Sequence, residues 1–226
     1  MTTTPTTKTL TIRFPELHLP TREAHRLRGY FGNLFRDHSP LLHNHLEGGE
    51  LRFAYPLVQY RVVDHVPELM GYNEGAELLR DLFLQIRELR IGETTYPLRE
   101  KQLIGREETL TVSQDELFRY RFQTHYLPLK QRAHQRYLDT PPAERRAFMN
   151  RLLRNQLLSV FKGLGVWLSP EQRILVNAEL EERRSKFKDQ QMITFLGSFT
   201  TNARLPQGTG VGGSVSRGFG VTKRES

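Results

Sequence analysis

Three histidines fall within eight residues of this chain, at His38, His43 and His45. In an extended backbone, residues two apart point to the same side, so His43 and His45 can converge on one atom. Histidine titrates near neutral pH and serves as both acid and base. Beside the cation Arg36, the pair indicates metal-free phosphodiester transfer. One imidazole would activate a ribose 2′-hydroxyl, the other would protonate the leaving 5′-oxygen, and Arg36 would stabilise the phosphorane.

Two alternatives for this histidine segment stay open. It can be an exposed polar loop, or it can be a metal site, because a His-x-His pair suits Zn or Cu and Asp37 with His38 could complete the ligand set. Tyr55 lies on the next predicted strand and is a candidate for positioning the phosphate. The remaining histidines are scattered, and we interpret them as surface or packing residues: His18, His25, His65, His125 and His134.

A second candidate segment, 205–221, is called the glycine loop because it combines glycine and serine around one arginine. Glycine accepts positive φ and lets the backbone approach a ligand closely. Consecutive N–H groups in such a loop can form an anion-binding concavity, so phosphate is the expected ligand. A flexible loop without a ligand is the alternative. The candidate RNA-binding residues of the loop are Gly210, Gly212, Gly213, Ser214, Ser216 and Arg217.

The glycine loop also contains a formal G-x-G-x-x-G at Gly208, Gly210 and Gly213. A dinucleotide site needs a strand before this motif, a helix after it, and an acidic residue about 20 residues further on. Only 13 residues follow Gly213 and no helix-length segment is among them. The motif therefore does not predict a dinucleotide site.

A third candidate segment is a β-hairpin formed by predicted strands at 174–180 and 192–200, with a charged tip at 181–189. Its cations suit a nucleic-acid backbone, whereas a solvated turn is the alternative. The candidate RNA-binding residues of this basic hairpin are Arg183, Arg184, Lys186 and Lys188.

Composition supports a polyanionic partner. The 226 residues carry a formal net charge of +8, and the 44 residues from Arg183 onward hold eight Lys and Arg against only two acidic residues. The chain has no cysteine, which excludes disulfides, thiolate metal ligands and a cysteine nucleophile. No apolar run approaches the roughly 20 residues that span a membrane, and the Thr-rich start does not resemble a secretory signal. We therefore expect a soluble, cytoplasmic protein without a membrane partner.

The elements that position these segments form two similar halves. In the first half the order is β-α-β-β-α-β, which is typical of a ferredoxin-like unit. In the second half, a strand at 117–124 precedes a helix that Thr140 and Pro141 would begin and that runs to about Leu164. The basic hairpin, the glycine loop and a strand at 219–222 follow. The predicted elements of the first half are strands at 9–14, 51–63, 66–70, 90–96 and 109–112, and helices from Thr21 to about Phe35 and at 74–89.

Four stretches of the chain together resemble a known family. The G-x-G-x-G-G-S-V-S-R-G-F-G of the glycine loop resembles the signature of the repeat-associated (RAMP) superfamily of CRISPR proteins. With Leu27–Phe35, Leu42–His45 and Phe53–Tyr60, it resembles the CRISPR repeat-processing endoribonucleases, in the branch with two histidines after the first helix. The resemblance spans nearly the whole chain.

This resemblance implies an α+β protein of two tandem ferredoxin-like domains, at 1–112 and 113–226, the second with the glycine loop in place of its last helix. It implies cleavage of precursor CRISPR RNA within repeats, without metal or other cofactor, leaving 2′,3′-cyclic phosphate and 5′-hydroxyl ends. The family's catalytic histidines correspond to His43 and His45. CRISPR repeat RNA is the implied partner, and other effector subunits and a second copy of the chain are further candidates.

One feature departs from this family pattern. The branch usually has a lysine near the end of the first helix, whereas this chain has none between Lys8 and Lys101. Arg36 is the nearest cation, and arginine stabilises a phosphorane but cannot act as a general acid. A non-catalytic RNA-binding subunit of a CRISPR effector complex is therefore a second hypothesis, and a metal-dependent hydrolase is a third.

Overall fold

The structure is a computed structural model that describes residues 5–35, 55–187 and 190–225. The chain forms two compact units. The N-terminal unit contains 7–108 together with Ser216–Gly218, and the C-terminal unit contains the described residues of 109–215 and 219–225 with Pro5 and Thr6. The helices in these ranges include none that is long and apolar enough to cross a membrane.

In its described residues the N-terminal unit has a four-stranded sheet, two α-helices and a small separate hairpin: β1 Thr6–Arg13, α1 Ala24–Leu34, β2 Val58–Val63, β3 Val66–Tyr72, α2 Glu74–Leu82, β4 Glu88–Ile91, β5 Thr94–Pro97 and β6 Gln102–Thr109. The sheet order is β2-β3-β1-β6, and β3 is antiparallel to both of its neighbours. The β4–β5 hairpin precedes the last strand. This strand order is that of a ferredoxin-like fold.

Aromatic packing joins α1 to this sheet. Leu27 and Phe31 are buried on one face of α1 at helical spacing, as the sequence pattern predicts. The Phe31 ring stacks on Tyr60 of β2 at 5.9 Å and on Phe14 at 6.4 Å between centroids. The apolar face of α1 thereby fixes the helix against β2.

The C-terminal unit repeats this plan with a different last crossover: β7 Thr111–Val112, β8 Phe118–Phe122, α3 Gln131–Asp139, α4 Arg145–Gly163, β9 Val176–Phe187, β10 Gln190–Thr201, β11 Ala203–Arg204 and β12 Thr222–Arg224. The sheet order is β12-β8-β10-β9, the same ferredoxin-like order, with all three pairings antiparallel. The glycine loop joins the third sheet strand to the fourth, where a helix would otherwise stand. The predicted fold class is confirmed.

Several predicted element bounds were wrong, for local reasons. The helix predicted at 74–89 ends at Leu82 and a 3-10 turn follows, because buried Leu89 and Ile91 alternate with exposed Glu88 and Arg90 at the period of a strand. The strand predicted at 90–96 is the β4–β5 hairpin. The last strand of the N-terminal sheet, β6, precedes the predicted range 109–112 and is largely exposed, so it lacks an apolar alternation that would mark it.

Helix starts were also misplaced. A 3-10 turn at Thr21–Glu23 precedes α1, and the residue before that turn is Pro20, so Thr21 is not the cap. The sequence analysis missed α3, whose last turn is closed by Thr140 Oγ1 donating to Arg136 O at 2.6 Å. Thr140 therefore ends one helix, and α4 begins only at Arg145 after a 3-10 turn at Pro142–Glu144.

Candidate nucleic-acid interface

Four predicted site residues, Arg36, His43, His45 and Lys188, lie outside the described residues. Their roles stay predictions from spacing and resemblance. Tyr55 is described and is half-buried at the start of the chain segment leading into β2. Its ring contacts Tyr72 edge-on at 5.9 Å between centroids. Burial and Tyr72 raise the pKa of Tyr55 well above its ordinary value, and hydrogen bonds hold its hydroxyl against Gln59 and Tyr72.

The glycine loop is held in place by its own backbone. Val211 N–H donates to Gly220 O at 2.9 Å, and Gly213 N–H donates to Leu127 O at 2.8 Å. The alternate amides, of Gly212 and Ser214, have no acceptor among the residues whose positions are described. Both residues are half-buried, whereas Gly213 is buried. From Val211 to Ser214, every second amide therefore bonds within the protein, and the amides between them bond to no described residue.

The glycine residues make room for protein atoms. A Cβ on Gly212 would lie 2.8 Å from Tyr126 Cε2, and one on Gly213 would lie 2.9 Å from Leu127 O. A Cβ on Gly220 would overlap the carbonyl oxygen of Val211. Gly212 and Gly220 also have positive φ, at 102° and 68°. The same small residues that allow approach to a ligand are thus needed for the packing of the C-terminal unit.

The segment Ser216–Gly218 packs in the N-terminal unit against the start of α1. A Cβ on Gly218 would lie 2.7 Å from the Cβ of Ala24, the first residue of α1. Arg28 lies one turn further along that helix, and both burial and the nearby Arg217 lower the pKa of Arg28. Two half-buried guanidinium groups therefore lie close to each other in this unit. Such a pair of like charges favours an anion between or beside them.

Ser214 precedes a 3-10 turn at Val215–Arg217, Ser216 is the middle residue of that turn, and both serines are half-buried. Ser214 has φ of 56°, a left-handed conformation that is uncommon for a residue with a side chain. Strained backbone of this kind costs roughly 1–3 kcal/mol and concentrates at functional sites. Gly210 pairs with Val221 in an isolated bridge and is buried.

The basic hairpin extends further as paired strands than the sequence predicts. The residues assigned to its tip belong to β9, and pairing continues to Phe187 opposite Gln190. Arg183 pairs in register with Thr194 and makes an ion pair with Glu181 on the same strand face. Arg184 is exposed on the opposite face and has no ion-pair partner within the described ranges. Arg183 and Arg184 therefore do not lie on one face, since neighbouring strand residues alternate between faces.

Two described residues of interest were missed by sequence reasoning. Nothing in the sequence marks Arg28 as a binding residue, and only the tertiary packing of the glycine loop places Arg217 near it. His125 was treated as scattered, although its Nδ1 lies 2.9 Å from Thr194 Oγ1 and its pKa is lowered by burial and Arg183. The position of His125 just after a strand that neighbours the hairpin strand is a signal that the ferredoxin-like order would have supplied.

Comparison with known proteins agrees with this geometry. A solved structure of Cas6b is 29% identical, with a TM-score of 0.91, covering 98% of this chain and 100% of that chain. Another, described as the CRISPR RNA processing endoribonuclease Cas6b, is 26% identical with a TM-score of 0.78 at the same coverage. The uncharacterized protein MJ0978 of Methanocaldococcus jannaschii is 25% identical over 145 residues, which are 64% of this chain and 97% of that protein.

Two family models match along the chain. The Cas6b N-terminal domain matches residues 5–109, and the Cas6b C-terminal domain matches residues 112–225. The resemblance seen in the sequence is thereby confirmed and made more specific. Because these two matches together account for nearly all of its residues, the chain belongs to the Cas6b family.

Proposed function

We propose that this protein is a metal-independent endoribonuclease that cleaves precursor CRISPR RNA within its repeats. The observation that carries the proposal is the match of both Cas6b domains along nearly the whole chain. The similar structure described as a CRISPR RNA processing endoribonuclease supports the substrate class. The basic C-terminal end and the two cation-bearing segments supply the charge that an RNA backbone needs.

The proposed chemistry is an internal transfer at phosphorus. One histidine of the pair His43 and His45 takes the proton of the 2′-hydroxyl as its oxygen attacks the phosphorus. The bond from phosphorus to the 5′-oxygen breaks, and the other histidine gives that oxygen a proton. Arg36 stabilises the charge that develops on the phosphorane. The products are a 2′,3′-cyclic phosphate and a 5′-hydroxyl, and no water or metal enters the balance.

The described geometry supports the binding roles that we assign. The amides of Gly212 and Ser214, with the hydroxyls of Ser214 and Ser216, are the donors we assign to phosphate. In the N-terminal unit, Arg217 and Arg28 add a paired positive charge. Tyr55 is assigned to phosphate positioning, with its hydroxyl fixed by Gln59 and Tyr72. The exposed cations of the basic hairpin contact the RNA backbone, and their contribution to affinity falls as the salt concentration rises.

Cleavage of repeat RNA in EDTA tests this function directly. We expect discrete fragments with cyclic phosphate ends, and no cleavage of a repeat that carries a single 2′-deoxy substitution at the scissile nucleotide. That deoxy substrate should still bind. Activity that disappears in EDTA and returns with added metal, or cleavage of the deoxy substrate, would contradict the mechanism.

The catalytic assignment is tested by His43→Ala and His45→Ala, each compared with His134→Ala on α3 as a matched control. General acid–base groups contribute about 10²–10⁴-fold, so each catalytic variant should lose single-turnover rate by about that factor while RNA affinity is nearly kept. Arg36→Ala should cost less, because it only stabilises charge. Wild-type rates for both histidine variants would show that the assignment is wrong.

A non-catalytic RNA-binding subunit is the second candidate function, favoured by the absence of lysine between Lys8 and Lys101. It predicts tight repeat binding without fragments at any pH. Association with other effector subunits or with a second copy of the chain is a further proposal, and mass measurement of the protein with and without repeat RNA would test the second copy.

A further inference from the structure

His125 lies in the C-terminal unit between the two segments assigned to RNA. Its carbonyl oxygen accepts the N–H of Gly220, at the end of the glycine loop, at 2.9 Å. The next residue, Tyr126, forms an isolated bridge with Phe195 of β10. His125 therefore follows β8 with its main chain bonded to the glycine loop and its ring bonded to Thr194 of the hairpin.

The hydrogen bonds of Thr194 define which ring nitrogen carries the proton. The Thr194 hydroxyl is fully buried, and it lies 2.9 Å from His125 Nδ1 and 3.4 Å from Arg183 O. A carbonyl only accepts, so the arrangement that makes both bonds has Thr194 donating to Arg183 O and His125 Nδ1–H donating to Thr194 Oγ1. This assignment leaves the lone pair on Nε2.

The charge environment supports a neutral ring. Burial lowers the pKa of His125, and the neighbouring Arg183 lowers it further. The side chain is half-buried rather than enclosed, and Nε2 has no partner among the described residues. A neutral imidazole whose Nε2 accepts is thus placed beside the cation Arg183.

We propose that His125 is an RNA-binding residue whose Nε2 accepts a hydrogen bond from an O–H or N–H donor of the repeat RNA. The proposal rests on the proposed function, since it concerns the same RNA. Cations and amides on this surface recognise phosphate, which has no donor of its own at neutral pH. An acceptor fixed among them recognises instead what phosphate lacks, namely a ribose 2′-hydroxyl or a base amino group.

The geometry itself is tested without RNA. Nitrogen-15 NMR of the imidazole groups, assigned by comparison with His125→Phe, should show His125 as the neutral Nδ1–H form near pH 7. Thr194→Val removes the acceptor of that proton and should mix the two neutral forms, whereas Thr194→Ser should keep the wild-type spectrum. A protonated ring, or the Nε2–H form in the wild-type protein, would overturn the proposal.

Binding is tested with the repeat RNA that the wild-type protein cleaves. His125→Phe keeps the ring volume but not the acceptor and should weaken binding roughly 2–12-fold, the range for one neutral hydrogen bond. Thr194→Val should weaken it less, and Thr194→Ser should restore it. His134→Phe, a half-buried histidine of the same unit, should bind like the wild type. Unchanged affinity for His125→Phe would overturn the proposal, whereas a wild-type protein that cleaves no repeat would contradict the proposed function.

The donor is identified by substitution in the RNA. A panel of repeats with single 2′-deoxy positions tests the ribose, and a second panel with inosine for guanosine, purine riboside for adenosine or zebularine for cytidine tests the amino groups. One substitution should weaken binding to the wild-type protein but not to His125→Phe. If no position in either panel behaves in this way, Nε2 has no RNA donor and the proposal fails.

Discussion

The glycine loop and the basic hairpin were both assigned to RNA, but their physical construction differs. The loop is largely buried, its amides at Val211, Gly213 and Gly220 are satisfied within the C-terminal unit, and its glycines contact protein atoms. The hairpin is a two-stranded ribbon with exposed cations on alternating faces. A packed segment such as the loop recognises a ligand by its shape, whereas a charged ribbon such as the hairpin attracts a ligand by its charge. Substitutions should therefore change folding in the loop and salt dependence in the hairpin.

The largest expected effect is that of Gly220→Ala. The added Cβ would overlap the carbonyl oxygen of Val211, and the backbone has φ of 68°. Overpacking and left-handed strain together should lower the free energy of unfolding by roughly 2–4 kcal/mol, measured by urea denaturation.

Two other glycines serve as matched controls for this prediction. Gly165 has φ of 81° but open space around it, so Gly165→Ala should cost only the strain, roughly 1–2 kcal/mol. Gly29 is exposed in α1, with nothing within 4 Å, so Gly29→Ala should raise stability by about 0.5–1 kcal/mol. Equal costs for Gly220→Ala and Gly165→Ala would show that the loop is not closely packed.

In the hairpin, the expected change is in salt dependence rather than in folding. A fourfold alanine variant at Arg183, Arg184, Lys186 and Lys188 should unfold at nearly the same urea concentration. Each lost phosphate contact should flatten the slope of log K against log salt by about 0.7–0.9. Unchanged affinity and slope would show that the hairpin is a solvated ribbon and that the RNA binds elsewhere.

Single variants sharpen this prediction. Arg184→Ala should flatten the salt slope more than Arg183→Ala, because Arg183 already makes an ion pair with Glu181. The test is a salt titration of RNA binding for the two variants side by side. Equal slopes would indicate that the ion pair with Glu181 opens when RNA binds.

The smallest expected effect is a pH dependence of the unfolding free energy caused by His125, which contacts both the glycine loop and the basic hairpin. The folded state lowers the pKa of His125 below its ordinary 6.5, through burial and then Arg183. Above about pH 6.5 the ring is neutral in both states, whereas below it the unfolded chain takes up the proton first. Acidification should therefore destabilise the wild-type protein. His125→Gln should lack this component, so the difference between their unfolding free energies should shrink between pH 7.5 and pH 5.5.

A constant difference between wild type and His125→Gln over that range would contradict the lowered pKa. The measurement uses the same urea titration at each pH, and His134→Gln on α3 is the control. Because both variants share every other titrating group with the wild type, their differences isolate single histidines.

The sequence by itself determined the fold class and the family. Apolar periodicity identified α1 and the β2–β3 pair, and the order of elements identified two ferredoxin-like units, because periods of 3.6 and 2 follow directly from backbone geometry. The combination of the glycine loop with the histidine segment was specific enough to indicate CRISPR repeat-processing endoribonucleases. The sequence did not determine the end of α2 or the existence of α3, because helix limits depend on which apolar residues find a partner in the core.

Only the tertiary structure decided how the site residues relate to one another. Spacing could not show that Arg217 lies near Arg28, or that the ring of His125 is fixed by Thr194, because these contacts join residues about 190 and 69 positions apart in the chain. Nor could spacing show that the amide of Gly213 donates to Leu127 O while the amide of Gly212 makes no such bond. A sequence records which groups could bind RNA, and the hydrogen bonds of the folded chain decide which of them are still available to do so.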